Sequence, residues 1–181
     1  MNLQSNDFEL FGIPPQFAQD RAALDARWKE LQREAHPDRF AAQGGAAQRV
    51  AMQWSVRINE AYQRLKDPLQ RAAYLCGLNG APVNAENNTA MPASFLMQQM
   101  EWRELLDEAS GLAALEGLAA QVALARRNAL QTCERLIDQA HDFTQAVGQV
   151  RALMFIERFS QEVDTRLDAC HDAMDATGRG Q

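Results

Sequence analysis

Apolar residues recur along this chain at the three- and four-residue steps of an α-helix almost from end to end. That period predicts an all-α protein. In the first third, Leu24, Trp28, Leu31 and Ala35 follow at steps of four, three and four, with Asp20 ahead of them as a cap. They predict one amphipathic helix whose opposite face carries Lys29 and Arg33. Pro37 disfavours helical backbone at His36, so this helix should end there. A second series, Val50, Trp54, Ile58, Ala61 and Leu65, predicts a helix long enough to lie antiparallel against the first. Between the arms of that hairpin stand His36-Pro37-Asp38-Arg39-Phe40 and a Gly44-Gly45 turn, which together form an exposed tip. After Asp67-Pro68, a short helix from Leu69 to Leu75 would close a core with Phe8, Leu10 and Phe11.

The pattern breaks over residues 77–92, which hold two Gly, two Pro and four Asn and read as a linker or long loop. Beyond it three helices are expected, Ala93 to Ala109, Leu112 to about Asp138, and about His141 to Met174, forming a three-helix bundle. The middle helix carries a narrow seam of Leu115, Leu118, Val122, Ala125, Ala129, Cys133 and Leu136. In the last, Leu153, Ile156, Ser160, Val163, Leu167, Cys170 and Met174 make a coiled-coil-like stripe. The expected organisation is therefore a hairpin domain over 1–76, a linker over 77–92, a bundle over 93–176 and a flexible tail over 177–181.

Two of the bundle helices carry more apolar faces than a bundle core needs. Phe95, Trp102, Leu105, Leu106 and Ala109 make an inward face on the first, while Leu96, Met97 and Met100 project elsewhere beside Glu101, Arg103 and Glu104. Phe155 likewise projects away from the stripe of the last helix. An apolar cluster with a charged rim fits a protein-binding site, and methionine suits an adaptable one. Burial of the same residues against the linker or the hairpin domain would explain the pattern equally well.

Composition narrows the function more than the fold. Residues 1–76 carry ten Lys/Arg against nine Asp/Glu, whereas residues 77–181 carry eight against fifteen. The acidic half speaks against nucleic-acid binding there, and a helical DNA-binding module is disfavoured for the whole chain. No apolar run approaches the roughly 18 residues of a membrane span, and Met-Asn-Leu-Gln-Ser at the start does not resemble a signal segment. A cytoplasmic protein with no membrane partner is expected. Cys76, Cys133 and Cys170 are far apart and form no Cys-x-x-Cys pair, so they read as structural thiols rather than disulfide or zinc ligands. No Gly-rich phosphate loop is present, so any nucleotide must belong to a partner.

His36-Pro37-Asp38 admits three readings. A catalytic dyad is poorly served, because the other histidines, His141 and His171, are distant in sequence and no nucleophile stands near. Plain helix punctuation is adequate. The third reading comes from context: the second hairpin arm ends in Ile58-Asn59-Glu60-Ala61-Tyr62, followed by Leu65-Lys66-Asp67-Pro68 and Arg71-Ala72-Ala73-Tyr74, and the chain opens with Asp7-Phe8-Glu9-Leu10-Phe11-Gly12-Ile13-Pro14. This ordered set, spanning about the first 76 residues, strongly resembles the J-domain family. The resemblance implies that His36, Pro37 and Asp38 dock on the ATPase domain of a DnaK-like chaperone. Lys29 and Arg33, helped by Arg27 and Arg39, would then form a basic face that finds an acidic patch. On that view the chain activates a partner ATPase and is not itself an enzyme.

The resemblance continues in the second half. Phe95-Leu96-Met97-Gln98-Gln99-Met100-Glu101-Trp102-Arg103-Glu104-Leu105 and Val150-Arg151-Ala152-Leu153-Met154-Phe155-Ile156 resemble helices of the HscB family, the dedicated J-proteins of iron-sulfur cluster assembly. It implies that the bundle binds an IscU-type cluster scaffold and that the J-domain recruits the DnaK-like chaperone HscA. Leu96, Met97, Met100 and Phe155 would be the apolar contacts, and Glu101, Arg103 and Glu104 their polar neighbours. Met100 stands where the family pattern has leucine, a conservative change for packing. The cysteine pairs of the metal-binding mitochondrial relatives are absent, which points to the bacterial type and to a chain that carries no metal or other cofactor. A general J-protein with a different client is the alternative.

Overall fold

The computed structural model describes residues 4–84 and 90–178, with side chains as far as Ala173. Seven α-helices carry the architecture: α1 (Asp7–Phe11), α2 (Arg21–Glu34), α3 (Gly45–Lys66), α4 (Pro68–Leu78), α5 (Ala93–Glu108), α6 (Leu112–Glu134) and α7 (Phe143–Gly178). A 3-10 turn over Pro37–Gln43 joins α2 to α3, and a single π-helical turn over Arg135–Gln139 ends α6. The described residues contain no strand.

Capping chemistry sets the helix starts. Five residues are too few for a self-sustaining helix, but Asn6 and Glu9 cap α1 reciprocally: the Glu9 N–H donates to the Asn6 side chain at 2.9 Å and the Asn6 N–H donates to the Glu9 carboxylate at 3.2 Å. The Asp20 carboxylate accepts from the N–H groups of Ala22 and Ala23 at the start of α2, and Asp67 does the same for α4 with Pro68 in the first turn.

The first unit packs α2 against α3, with α1 and α4 closing the core around Phe8, Phe11, Leu24, Leu31, Ile58, Leu65 and Leu75. One carboxylate lies inside it. Asp7 is fully buried, accepts a hydrogen bond from Arg64 at 2.9 Å and lies 2.7 Å from the Arg57 guanidinium as an ion pair. Its N–H donates to the Tyr74 hydroxyl. Removing this charge from water is tolerable because two guanidiniums face it.

In the second unit α6 and α7 run side by side as the main contact of the molecule, and α5 lies against them through Phe95, Trp102 and Leu106. The two units share one continuous core, since α4 packs on α7 and α6. At the joint, the Asp138 carboxylate accepts from the N–H groups of Phe17 and Ala18 at 2.6 and 2.8 Å. The buried Arg71 donates to the Phe17 carbonyl, with its guanidinium over the Phe17 ring. Arg151 of α7 donates to the carbonyls of Val83 and Ala90, pinning both ends of the connection between the units.

Several expectations need correction. The fourth helix runs to Leu78, so the first two residues of the expected linker are helical, and 85–89 lie outside the described residues. The expected tail begins as helix at Thr177 and Gly178, with 179–181 outside the described residues. Val50 is 51% exposed, because α2 has ended before α3 reaches it and only the 3-10 turn covers that end of the hairpin. Leu105 is 39% exposed; at 100° per residue it stands about 80° from Phe95, off the inward face. The buried face of α7 is wider than a coiled-coil stripe: Ala146, Val147, Ala152 and Phe159 join it, because this helix serves α4, α5 and α6 at once. The side chain of Met174, the last residue of the expected stripe, lies outside the described residues.

Candidate functional site

Two exposed surfaces stand out, one on each unit. The first is the hairpin tip. Ala35 closes α2, His36 is extended, and Pro37 opens the 3-10 turn, so the proline both stops one helix and pre-sets the next turn. The Asp38 N–H donates to the His36 ring Nδ1 at 3.3 Å, and the Asp38 carboxylate reaches 3.6 Å from the same nitrogen. The Asp38 side chain is otherwise in solvent, 90% exposed. Below the tip the arms are tied by polar contacts: Trp28 and Gln32 donate to Asn59, and Ser55 donates to the Ala35 carbonyl. A stem tied across its two arms thus presents a largely exposed imidazole, a proline face and a carboxylate, groups that offer a partner hydrogen bonds and a charge.

Lys29 and Arg33 are exposed on the outer face of α2. Arg27 is partly enclosed and committed within the chain, donating to Glu30 and to the Phe11 carbonyl. Arg39 donates to the Arg33 carbonyl and so caps the last turn of α2 while staying exposed.

The second surface lies along α5. Its inner pole is Phe95, Trp102 and Leu106, all buried. The opposite pole holds Met97, Met100 and Glu104, with Leu96 turned toward α7 and Glu101 toward α6. Leu96, Met97 and Met100 are 46, 75 and 68% exposed, so burial against the linker or first unit does not account for them. Phe155 of α7 is half-buried, and with Gln99, Met100, Arg103 and Glu104 it lines a shallow cleft of about 360 Å³. Met97 and Glu101 instead face a larger groove of mixed polar and apolar lining, about 530 Å³, between α5 and α6, beside Leu124 and Asn128. The predicted cluster is therefore split by the ridge of α5. Sequence reading missed Gln99, which its place one turn before Arg103 could have revealed, and Leu124, an isolated exposed leucine with no such signal.

Among the described residues no group of three or more His, Cys, Asp or Glu side chains could hold a metal, and no helix is long and apolar enough to cross a membrane. Cys76 and Cys133 are buried, one on each unit, and Cys170 is half-buried. Burial pushes the Cys76 thiol up to about 11 and the Cys133 thiol up to about 12, which suits inert packing thiols.

Residues 91–164 match the family model described as the HSCB C-terminal oligomerisation domain. The chain is 48% identical to a co-chaperone protein HscB homolog of Burkholderia multivorans and 47% identical to that of Burkholderia vietnamiensis, in each case over 93% of this chain and 97% of the relative. Among solved structures it resembles the chaperone HscB from Vibrio cholerae, with a TM-score of 0.78, 37% identity, and 92% of this chain and 99% of the other covered. It also resembles human co-chaperone protein HscB, with a TM-score of 0.81, 25% identity, and 92% and 84% covered. An all-helical chain with an exposed His-Pro-Asp tip, sharing nearly half its residues with such relatives over almost its whole length, belongs to the HscB family of co-chaperone proteins.

Proposed function

We propose that this chain is an adaptor of iron-sulfur cluster assembly, which binds an IscU-type scaffold on the α5–α7 surface and delivers it to the DnaK-like chaperone HscA in the cytoplasm. The hairpin tip would engage the ATPase domain of that chaperone through His36, Pro37 and Asp38, with Lys29, Arg33 and Arg39 steering the approach. A protein without a nucleotide site accelerates hydrolysis only by binding the hydrolysis-competent state of its partner more tightly than the resting one. The tip is a docking element of that kind, and the chain is an activator, not an enzyme. The iron-sulfur cluster is cargo on the scaffold.

The observation that carries the reading is the exposure of Leu96, Met97 and Met100 on a helix whose opposite face is sealed. Side chains of this size leave water when a protein partner covers them, and the acidic and basic rim of Glu101, Arg103 and Glu104 supplies register.

The test uses purified components. Asp38→Asn removes a charge-assisted hydrogen bond and should lower stimulation of the chaperone ATPase about tenfold or more; stimulation like wild type by a folded variant sinks the tip assignment. Leu96→Ala combined with Phe155→Ala should weaken scaffold binding at least about thirtyfold by calorimetry. Unchanged affinity removes the α5–α7 surface, and indiscriminate binding of denatured proteins would instead favour a general J-protein.

A further inference from the structure

Phe155 is one corner of a closed set of four rings. It meets Phe95 edge-on at 5.8 Å between centroids and stacks on Phe159 at 5.8 Å; Phe159 stacks on Trp102 at 5.6 Å, and Trp102 meets Phe95 edge-on at 6.1 Å. Phe95, Trp102 and Phe159 are buried, so Phe155 is the corner that reaches the surface. Arg103 covers the open side of the set, its guanidinium 5.1 Å from the Phe159 centroid and 5.8 Å from that of Phe155.

A long arginine on an exposed helix ordinarily samples many rotamers. This one is held in place. Glu162, the residue three positions beyond Phe159 on α7, accepts from both terminal nitrogens of Arg103, one of them at 3.2 Å. The fork-on-fork arrangement fixes the plane of the guanidinium as well as its position, and Glu162 itself does not line the cleft.

We infer that Glu162 is a positioning residue for the protein-binding surface: it holds Arg103 against the ring faces, and Arg103 in turn fixes Phe155 at the mouth of the cleft before a partner arrives. Ring ordering done in advance is ordering that binding need not supply. A second consequence concerns charge. The Arg103 charge is already paired with Glu162 within the chain, so a partner meets a fixed ion pair at this part of the rim rather than a mobile cation. The inference rests on the reading that this cleft takes the scaffold, and the alternative role for the bridge is a simple tie between α5 and α7. An exposed ion pair contributes little to stability, so the two roles are separable.

The experiment compares wild type, Glu162→Gln, Glu162→Asp, Arg103→Gln, the double variant Glu162→Gln with Arg103→Gln, and Phe155→Ala in the full chain. Carbon-proton NMR of the aromatic rings reports on the free protein, and calorimetry reports on binding to purified apo scaffold. Glu162→Gln should shift the Phe155 and Phe159 ring signals toward unstructured values, in the same direction as Arg103→Gln, with the thermal midpoint moved by less than about 2 °C. Scaffold affinity should fall about fivefold, Glu162→Asp should restore part of both effects, and the double variant should be no worse than the worse single one. Unmoved Phe155 signals overturn the inference, as do losses that multiply in the double variant or a lowered midpoint with unmoved ring signals. Should wild type fail to bind scaffold, or Phe155→Ala bind like wild type, the functional reading fails while the ring signals still decide the role of Glu162.

Discussion

Cys76 on α4 and Cys133 on α6 are sealed from solvent on the two sides of the joint between the units. Burial raises both thiols, to about 11 and about 12, and the second is raised further by the charge of the first. In the unfolded chain each releases its proton near 9. Above that value the unfolded state loses protons that the folded state still holds, so unfolding is favoured. The stabilising contribution is therefore complete below about pH 9 and is lost as the pH climbs toward 11 to 12. Urea midpoints measured from pH 8 to 10.5 should fall more steeply for wild type than for the Cys76→Ala, Cys133→Ala variant. The Tyr62 hydroxyl, raised chiefly by its hydrogen bond to Asp25, titrates in both proteins and cancels in the comparison. Parallel slopes would mean that the thiols are not sealed as the structure has them.

The hairpin depends on one backbone conformation. Gly44, between the 3-10 turn and α3, has φ 90° and ψ 169°, a region open almost only to glycine. A methyl group there would meet nothing within 4 Å, so the cost of Gly44→Ala is purely conformational, about 1–2 kcal/mol. Gly45, already in the first turn of α3 and equally unobstructed, should tolerate alanine with no loss or a gain of about 0.5 kcal/mol. Chemical denaturation of the two variants checks the contrast. Sequence period located the helices well because each buries one face, and the tip was legible because a proline between two amphipathic arms leaves few other places for it. What period does not report is the number of neighbours a helix has. Val50 lies on the apolar series of α3 yet sits past the end of α2, and Phe159 lies beside the expected stripe of α7 yet is fully buried under α5. The exposed apolar surface of α5 was legible as an excess of apolar faces. Its division by the ridge of α5 was not, because which flank of Met97 or Leu96 meets a neighbour depends on where α6 and α7 cross it.

At the scale of the whole molecule, the question is whether two exposed surfaces on two units move as one body, since two sites on one chain can be engaged together only in geometries the chain allows. The contacts favour one body: a shared core, the Arg151 grip on Val83 and Ala90, and the Asp138 carboxylate under the Phe17 and Ala18 amides. Asp138 is a direct place to test this, because its carboxylate stands at the end of the π-helical turn of α6 and reaches backbone of the other unit. Asp138→Ala removes a charged acceptor from the part-buried Phe17 amide and should cost about 1–3 kcal/mol. If the units unfold cooperatively, hydrogen exchange in α3 around Ile58 and in α7 around Leu153 should accelerate by the same factor, although the former is in the first unit and the latter in the second. Acceleration confined to residues 15–20 and 135–142 would show that the joint frays by itself. The two surfaces would then be tethered by the chain rather than fixed by packing.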